Sequence, residues 1–222
     1  MWSESPHFNR FLNIDLIFQR SIHITVPSHE MEGGIMKRML FALLAISLFT
    51  SPLRADYKED LKKGDYKAVL REITPLAQKG DAEAQSILGT MYANGQGVPL
   101  NYEKAVAWIR KAAEQGFAEA QYNLGVMHDR GFGVPQNFRE AAKWYEKAAE
   151  QGTAGAQYNL GLMYVEGQGV QQNYVQAYMW LSLAAVRGDQ EAVKARDFIT
   201  GKMTPAQIAE AQKLVSKWKP KE

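Results

Sequence analysis

Cysteine is absent from all 222 residues, which removes disulfides, thiolate metal sites, a cysteine nucleophile and a lipidated bacterial amino-terminus by inventory alone. Beyond residue 55 there is a single histidine, His128, and only three serines, Ser86, Ser182 and Ser216, so a nucleophile–base pair or a multi-histidine metal site has almost no material. Charge of one sign is lacking too: past residue 55 the chain holds 21 basic and 20 acidic residues, a balance that builds no face for nucleic acid or for an anionic membrane. The most apolar stretch, Met39 to Phe49, is about half of the ~20 residues a membrane-spanning helix needs, so no stable membrane anchor is expected. The 46% hydrophobic content is nevertheless ample for a core, and the class is globular or repeat-like.

That apolar stretch sits in "MKRMLFALLAISLFTSPLRA", residues 36–55, where Lys37 and Arg38 precede it and Pro52 and the small residue Ala55 come after it. The layout is that of a secretory signal peptide cleaved after Ala55, which predicts a periplasmic or secreted protein. Residues 1–35 share no repeat or period with the rest of the chain, and Glu32-Gly33-Gly34 is encodable by a purine-rich ribosome-binding sequence. Translation is therefore expected to begin at Met36, with 1–35 a leader from an over-extended gene start.

The dominant signal is internal repetition. "GQGVPLNYEKA" at Gly95 returns as "GFGVPQNFREA" at Gly131 and as "GQGVQQNYVQA" at Gly167, each time 36 residues further on. Units 81–116, 117–152 and 153–188 align without insertion, and fifteen of the thirty-six columns are identical in all three. In each unit Ala84, Leu88 and Met91, or their counterparts, recur at helical spacing and define a helix A. Asn101, Asn137 and Asn173 are N-caps for a helix B, with Glu140 and Gln176 placed to complete capping boxes. Trp108, Trp144 and Trp180 mark the packed face of helix B. Gly89, Gly125 and Gly161 lie inside helix A, where glycine costs about 1 kcal/mol relative to alanine. Close approach of a neighbouring helix is the expected cause, with the tryptophans and small alanines filling the gap.

The paired glycines Gly95/Gly97, Gly131/Gly133 and Gly167/Gly169 invite a phosphate-loop reading. They come after a helix and not a strand, and no third glycine or Lys-Ser/Thr completes either nucleotide motif. They are expected instead to end helix A in a left-handed conformation and to continue the turn, with Val98, Val134 and Val170 tucked beneath. His128 falls in a column otherwise held by Tyr92 and Tyr164, which assigns its ring to packing. No cofactor or metal is expected.

One helix pair cannot bury its own apolar face, so adjacent pairs must stack into an all-α solenoid. Residues 56–80 read as a partial amino-terminal repeat with Pro75 inside its second helix. Residues 189–222 read as carboxy-terminal capping helices, the last opened by Thr204-Pro205-Ala206-Gln207 and running to about Trp218.

The motif "AEAQYNLGVMHDRGFGVPQNFREAAKWYEKAAEQG" resembles the Sel1-like repeat, a relative of the tetratricopeptide repeat. The resemblance implies a right-handed superhelix of antiparallel helix pairs that serves as an adaptor, often exported by bacteria, with helix A lining the concave side. Some secreted relatives carry a disulfide in each unit, which this chain without cysteine cannot form.

One position before the core stripe of helix A runs a second stripe: Glu83, Ile87, Thr90, Asn94; Glu119, Asn123, Val126, Arg130; Gly155, Asn159, Leu162, Glu166. Stacking aligns these rows, and asparagine can bond both donor and acceptor of an extended backbone. The expected function is thus a non-catalytic scaffold gripping a protein or peptide partner through Glu83, Ile87, Asn94, Glu119, Asn123, Arg130, Asn159 and Glu166. The alternative is a secreted hydrolase or an enzyme inhibitor using a carboxylate such as Asp129 or Glu166 on the same scaffold.

Overall fold

A computed structural model of the chain describes residues 53–221, and among these residues all regular structure is helical. The leader 1–35 and nearly all of the signal segment lie outside the described residues. The helices are α1 (Leu53–Lys63), α2 (Tyr66–Gln78), α3 (Ala82–Asn94), α4 (Tyr102–Glu114), α5 (Ala118–Arg130), α6 (Phe138–Glu150), α7 (Ala154–Glu166), α8 (Tyr174–Val186), α9 (Gln190–Thr200) and α10 (Pro205–Lys217). Helices α3, α5 and α7 are the A helices of the three units, and α4, α6 and α8 their B helices. From α1 to α9 each helix packs on the next, as a solenoid requires.

Local chemistry sets the end of helix A and the start of helix B in every unit. Asn101, Asn137 and Asn173 accept from the amides of Lys104, Glu140 and Gln176 at 2.8, 3.1 and 3.1 Å, satisfying free donors of helix B. Their own amides donate to the carbonyls of Tyr92, His128 and Tyr164 at 2.9, 2.8 and 2.9 Å, which clamps the turn onto helix A. The expected capping boxes are only half made, because Glu140 turns outward to Lys143 at 2.6 Å and Gln176 makes no return bond. At Thr204 the box is complete.

The two glycines of each turn do different jobs. Gly95, Gly131 and Gly167 close helix A with φ near 70° (66, 73 and 71°). Gly133 and Gly169 also have positive φ (70 and 69°), but each lies on the backbone that opens the preceding unit's helix B. A Cβ there would sit inside the van der Waals shells of the Tyr102 carbonyl group in one case and of the Phe138 carbonyl group in the other. The second glycine is thus a docking point between units as well as part of a turn.

Gly97 corrects the expectation that the three glycine pairs are equivalent. It shares the left-handed φ, at 70°, but it is exposed where Gly133 and Gly169 are half-buried. A Cβ on Gly97 would stand 2.9 Å from the Tyr66 Cβ and 3.0 Å from both its carbonyl oxygen and the Leu70 side chain, a looser contact made largely with side chains. The cause lies in the helix beneath it. Gly97 rests on the first turn of α2, which belongs to the partial amino-terminal repeat and is entered from the tight turn at Gly64 and Asp65 without an asparagine-capped loop of its own.

Glycine inside helix A has the close-approach cause expected of it, with a different partner. A Cβ at Gly89, Gly125 or Gly161 would stand 2.5, 2.6 or 2.7 Å from the side chain of Ile109, Tyr145 or Leu181 on helix B of the same unit. The tryptophans one residue earlier point the other way. Trp108, Trp144 and Trp180 pack back into the core of the preceding pair, together with the valines of the turns. Tryptophan therefore joins units, while the residue after it fills the gap over glycine.

A glutamine ladder adds polar register to this packing. Gln85, Gln121 and Gln157 donate to the buried carbonyls of Ala77, Ala113 and Ala149 at 3.0, 3.2 and 3.1 Å. Gln115 and Gln151 donate in turn to the Oε1 of Gln85 and of Gln121, both at 2.8 Å. In the third unit that column holds Arg187, and the buried Oε1 of Gln157 is left without a donor.

The ends depart from the repeat. α1 and α2 complete an amino-terminal pair around Tyr57, Val69 and Ile73, all at most 2% exposed, and α2 runs on through Pro75. α9 continues the stack as an A-type helix with an exposed Arg196–Asp197 pair at its surface. The last helix does not cap the open end. α10 returns across α8, places Leu214, Val215 and Trp218 on the core of the second and third units, and ties Lys221 to Glu150 through its amide at 2.8 Å and its ammonium at 2.5 Å.

Docking through Gly133 gives a quantitative expectation. Gly133→Ala combines the left-handed φ penalty with a backbone clash and should cost roughly 3 kcal/mol or more. Gly80→Ala, at φ 99° with nothing within 4 Å of the added methyl, should cost only about 1–2 kcal/mol. Urea unfolding of the two variants measures the difference, and equal costs would deny the docking role.

Candidate partner-binding face

Small or apolar residues recur on more than one face of helix A; α7 reads AGAQYNLGLMYVE. Such a helix is one whose faces are covered. Accordingly the second stripe is not the continuous exposed row expected from spacing. Ile87 and Asn123 are buried at 3% and 1% exposure, and Thr90 and Val126 are buried with them. Glu83, Glu119, Gly155, Asn159 and Leu162 are half-buried, and only Asn94, Arg130 and Glu166 at the far end of the stripe are exposed. Neighbouring A helices and the B helix of the same unit enclose the middle of each A helix, so spacing correctly groups these residues but not their access to solvent.

Between α5 and α7 the stripe joins a polar cluster. The Tyr122 ring lies against Gly155, where a Cβ would be 3.2 Å from its hydroxyl, and its centroid is 6.0 Å from that of Tyr145. Burial pushes both phenols up, while the Asn159 amide, facing both hydroxyls, pulls them back. The Tyr145 hydroxyl donates to Asp129 Oδ2 at 3.4 Å, and the same oxygen faces Arg130 Nε at 3.6 Å. Burial raises the Asp129 carboxyl against these two partners. Asn159, Asp129 and Arg130 are therefore engaged within the fold. Sequence reasoning missed the two tyrosines, although Tyr145 stands in a column where the other units place Ile109 and Leu181, a visible change from aliphatic to phenol.

Two polar groups beside this cluster are not engaged. The Asn123 side chain is buried with neither Oδ1 nor Nδ2 hydrogen-bonded. One turn earlier on the same face, burial alone pushes the Glu119 carboxyl up to about 7, with no cation or donor to offset it. Its counterpart Glu83 is paired with Lys58 at 2.9 Å.

His128 is buried in its tyrosine column, as expected for a packing ring, with Arg110 3.5 Å from Nε2; burial first and Arg110 second lower its pKa. An open depression at the turn of the third unit, lined by Glu146, Tyr164, Val170 and Gln176, contains no buried group without a partner. Among the described residues no three His, Cys, Asp or Glu side chains gather as a metal site, and no helix is long and apolar enough to cross a membrane.

The Glu119 carboxyl predicts a pH dependence. Because its folded pKa of about 7 lies above the ordinary 4.5, the folded chain holds a proton that the unfolded chain releases. Stability should be greatest below about pH 4.5 as far as this group is concerned and should fall, by up to about 3 kcal/mol, as pH rises to about 7. Glu119→Gln should flatten that part of the urea-stability profile, and an unchanged slope would contradict the assignment.

Comparison with known proteins agrees with this architecture. The Sel1 repeat model matches residues 82–117, 118–153 and 154–189. Among solved structures, a Sel1 repeat protein from Oxalobacter formigenes is 40% identical with a TM-score of 0.62, covering 64% of this chain and 59% of its own. A protective antigen of uropathogenic Escherichia coli strains that displays an SLR fold is 32% identical with a TM-score of 0.64, covering 73% of this chain and 39% of its own. The chain thus spans less than two thirds of either neighbour. No curated protein matches it. Three consecutive repeats in unbroken register, within a helical stack shared with both neighbours, make this chain a member of the Sel1 repeat family.

Proposed function

We propose that the protein is a non-catalytic scaffold of the bacterial periplasm that docks a peptide segment or partner domain along its helix A face. The observation that carries this reading lies on one face of α5: Asn123 is buried with both amide atoms unpaired, and one turn before it the half-buried Glu119 has no cation beside it. Leaving the Asn123 amide unpaired costs about 1–3 kcal/mol, and a partner whose docking opens this face and supplies the missing bonds recovers that cost on binding. Sel1 repeats generally mediate protein–protein interaction, which supports the same role here. The rival enzymatic reading loses its best carboxylate, because Asp129 is already engaged by Tyr145 and Arg130. Export is supported by the charged and apolar layout of residues 36–55.

A photo-crosslinking amino acid placed in turn at positions 94, 130 and 166, the exposed end of the stripe, tests the reading in the native bacterium. The same protein should be captured from these positions and not from Lys143 or Lys194, which are exposed on α6 and α9. Absence of any specific adduct from the three positions, with a crosslinker shown to be competent, would overturn it.

A further inference from the structure

The depression at the turn of the third unit brings Glu146 of α6, Tyr164 of α7 and Gln176 of α8 around about 660 Å³ of open space. That is room for a long side chain. On its rim, Gln172 and Asn173 are spent on the turn itself: Gln172 donates to the Val165 carbonyl at 2.7 Å, and Asn173 accepts from the amides of Val175 and Gln176 at 3.0 and 3.1 Å. Glu146, the Tyr164 ring and the side-chain amides of Gln171 and Gln176 form the wall that a ligand would meet. None of them is buried without a partner, so the site costs the fold nothing and a side chain can reach it from outside.

The three columns that supply Glu146, Tyr164 and Gln176 change charge from turn to turn. At the first turn they hold Thr74, Tyr92 and Lys104, and the Lys104 ammonium lies 5.4 Å from the centre of the Tyr92 ring. At the second they hold Arg110, His128 and Glu140, and Arg110 stands 3.5 Å from His128 Nε2. Each of these turns places a cation of its own against its ring. At the third turn the ring remains, Gln176 stands where Lys104 does and Glu146 stands where Arg110 does. Both cations are gone, and a carboxylate replaces one of them. Its charge reaches the ring, since burial first and Glu146 second push the Tyr164 phenol up. Nearby cations are committed elsewhere: Lys143 to Glu140 at 2.6 Å, Lys147 to the Trp144 ring at 4.2 Å and Lys221 to Glu150 at 2.5 Å. No lysine or arginine lines the depression.

We propose that this depression is a receptor for one basic side chain, lysine or arginine, of a partner protein. Tyr164 offers the cation an aromatic ring, Glu146 supplies the counter-charge, and the amide oxygens of Gln171 and Gln176 accept its remaining N–H groups. Lysine and arginine bring donors only, which is what this wall can satisfy. An acidic or phosphorylated side chain would meet the Glu146 charge and be rejected. Lys104 on Tyr92 shows within this chain how a cation sits in the same columns. Tyr164 and Glu166 are two residues apart on α7 and do not share a face, so the site is separate from the helix A stripe and does not depend on docking there.

Nitrogen–proton correlation spectra of the isotope-labelled chain, titrated with N-acetyl-lysine methylamide, test this. The backbone amides of Tyr164, Val170, Gln171 and Gln176 should shift, and the norleucine counterpart of the probe, which lacks only the ammonium, should leave them in place. Two variants should each weaken binding of the lysine probe at least about threefold. Glu146→Gln removes the counter-charge, and Gln176→Lys restores the internal cation that Lys104 provides at the first turn. No shift of these amides, equal shifts from the two probes, or undiminished binding by both variants would overturn the site. Shifts of the same amides on concentrating the chain without a probe would give the site to a second copy and overturn its assignment to a partner.

Discussion

At two points in the stack a glycine rests directly on another unit's backbone. Gly133 sits on the first turn of α4 and Gly169 on the first turn of α6, so close that no side chain fits. Two backbones in contact leave one register for the units they belong to, because a shift in either direction brings a Cβ into the contact. The tryptophan of each helix B reaches into the core of the pair before it, and the glutamine ladder crosses the same seam where Gln85, Gln121 and Gln157 donate to the carbonyls of Ala77, Ala113 and Ala149 of the preceding pair at 3.0, 3.2 and 3.1 Å. Apolar burial holds the units together, and the glycine contacts and the ladder decide how they align.

Alignment of that quality turns the repeat into a reference frame for function. When each column of helix A falls in line with the same column of its neighbours, a change in one unit stands against an otherwise uniform background. Glu83 pairs with Lys58 while Glu119 has no cation beside it, and Asn123 leaves unbonded an amide that Asn159 in the same column uses on Tyr122 and Tyr145. Each departure lowers stability without a compensating contact in the fold, and such departures mark sites where local consistency has yielded to function. The rigid stack around them holds the groups in place for a partner.

Much of this architecture is legible in the sequence alone. Glycine and asparagine at fixed offsets mark the ends of helix A and the starts of helix B because each serves a backbone geometry that few residues can serve. Solvent access is less legible. The spacing of Ile87 and Asn123 correctly places them on one face with Glu83 and Glu119, but it carries no information about a neighbouring A helix covering that face. Only Asn94, Arg130 and Glu166 emerge as exposed, near the end of the helix where the chain turns away. Gly97 is identical in type to Gly133 and Gly169, yet its exposure depends on the shorter pair beneath it, which no residue of the turn itself encodes. The return of α10 across α8 is equally hidden, since Leu214, Val215 and Trp218 show an apolar face without showing what it covers. Tyr145 needs a column-by-column reading of three units, where it stands apart from Ile109 and Leu181.

If the polar face of α5 is kept for a partner at a cost to the fold, removing its unpaired group should stabilise the fold directly. Urea unfolding of Asn123→Leu measures this, because leucine shares the heavy-atom count and branching of asparagine and removes two unpaired buried polar atoms. The variant should be more stable than the parent by about 1–3 kcal/mol. A loss of stability of similar size would contradict the idea, and would show that the Asn123 amide already serves the fold.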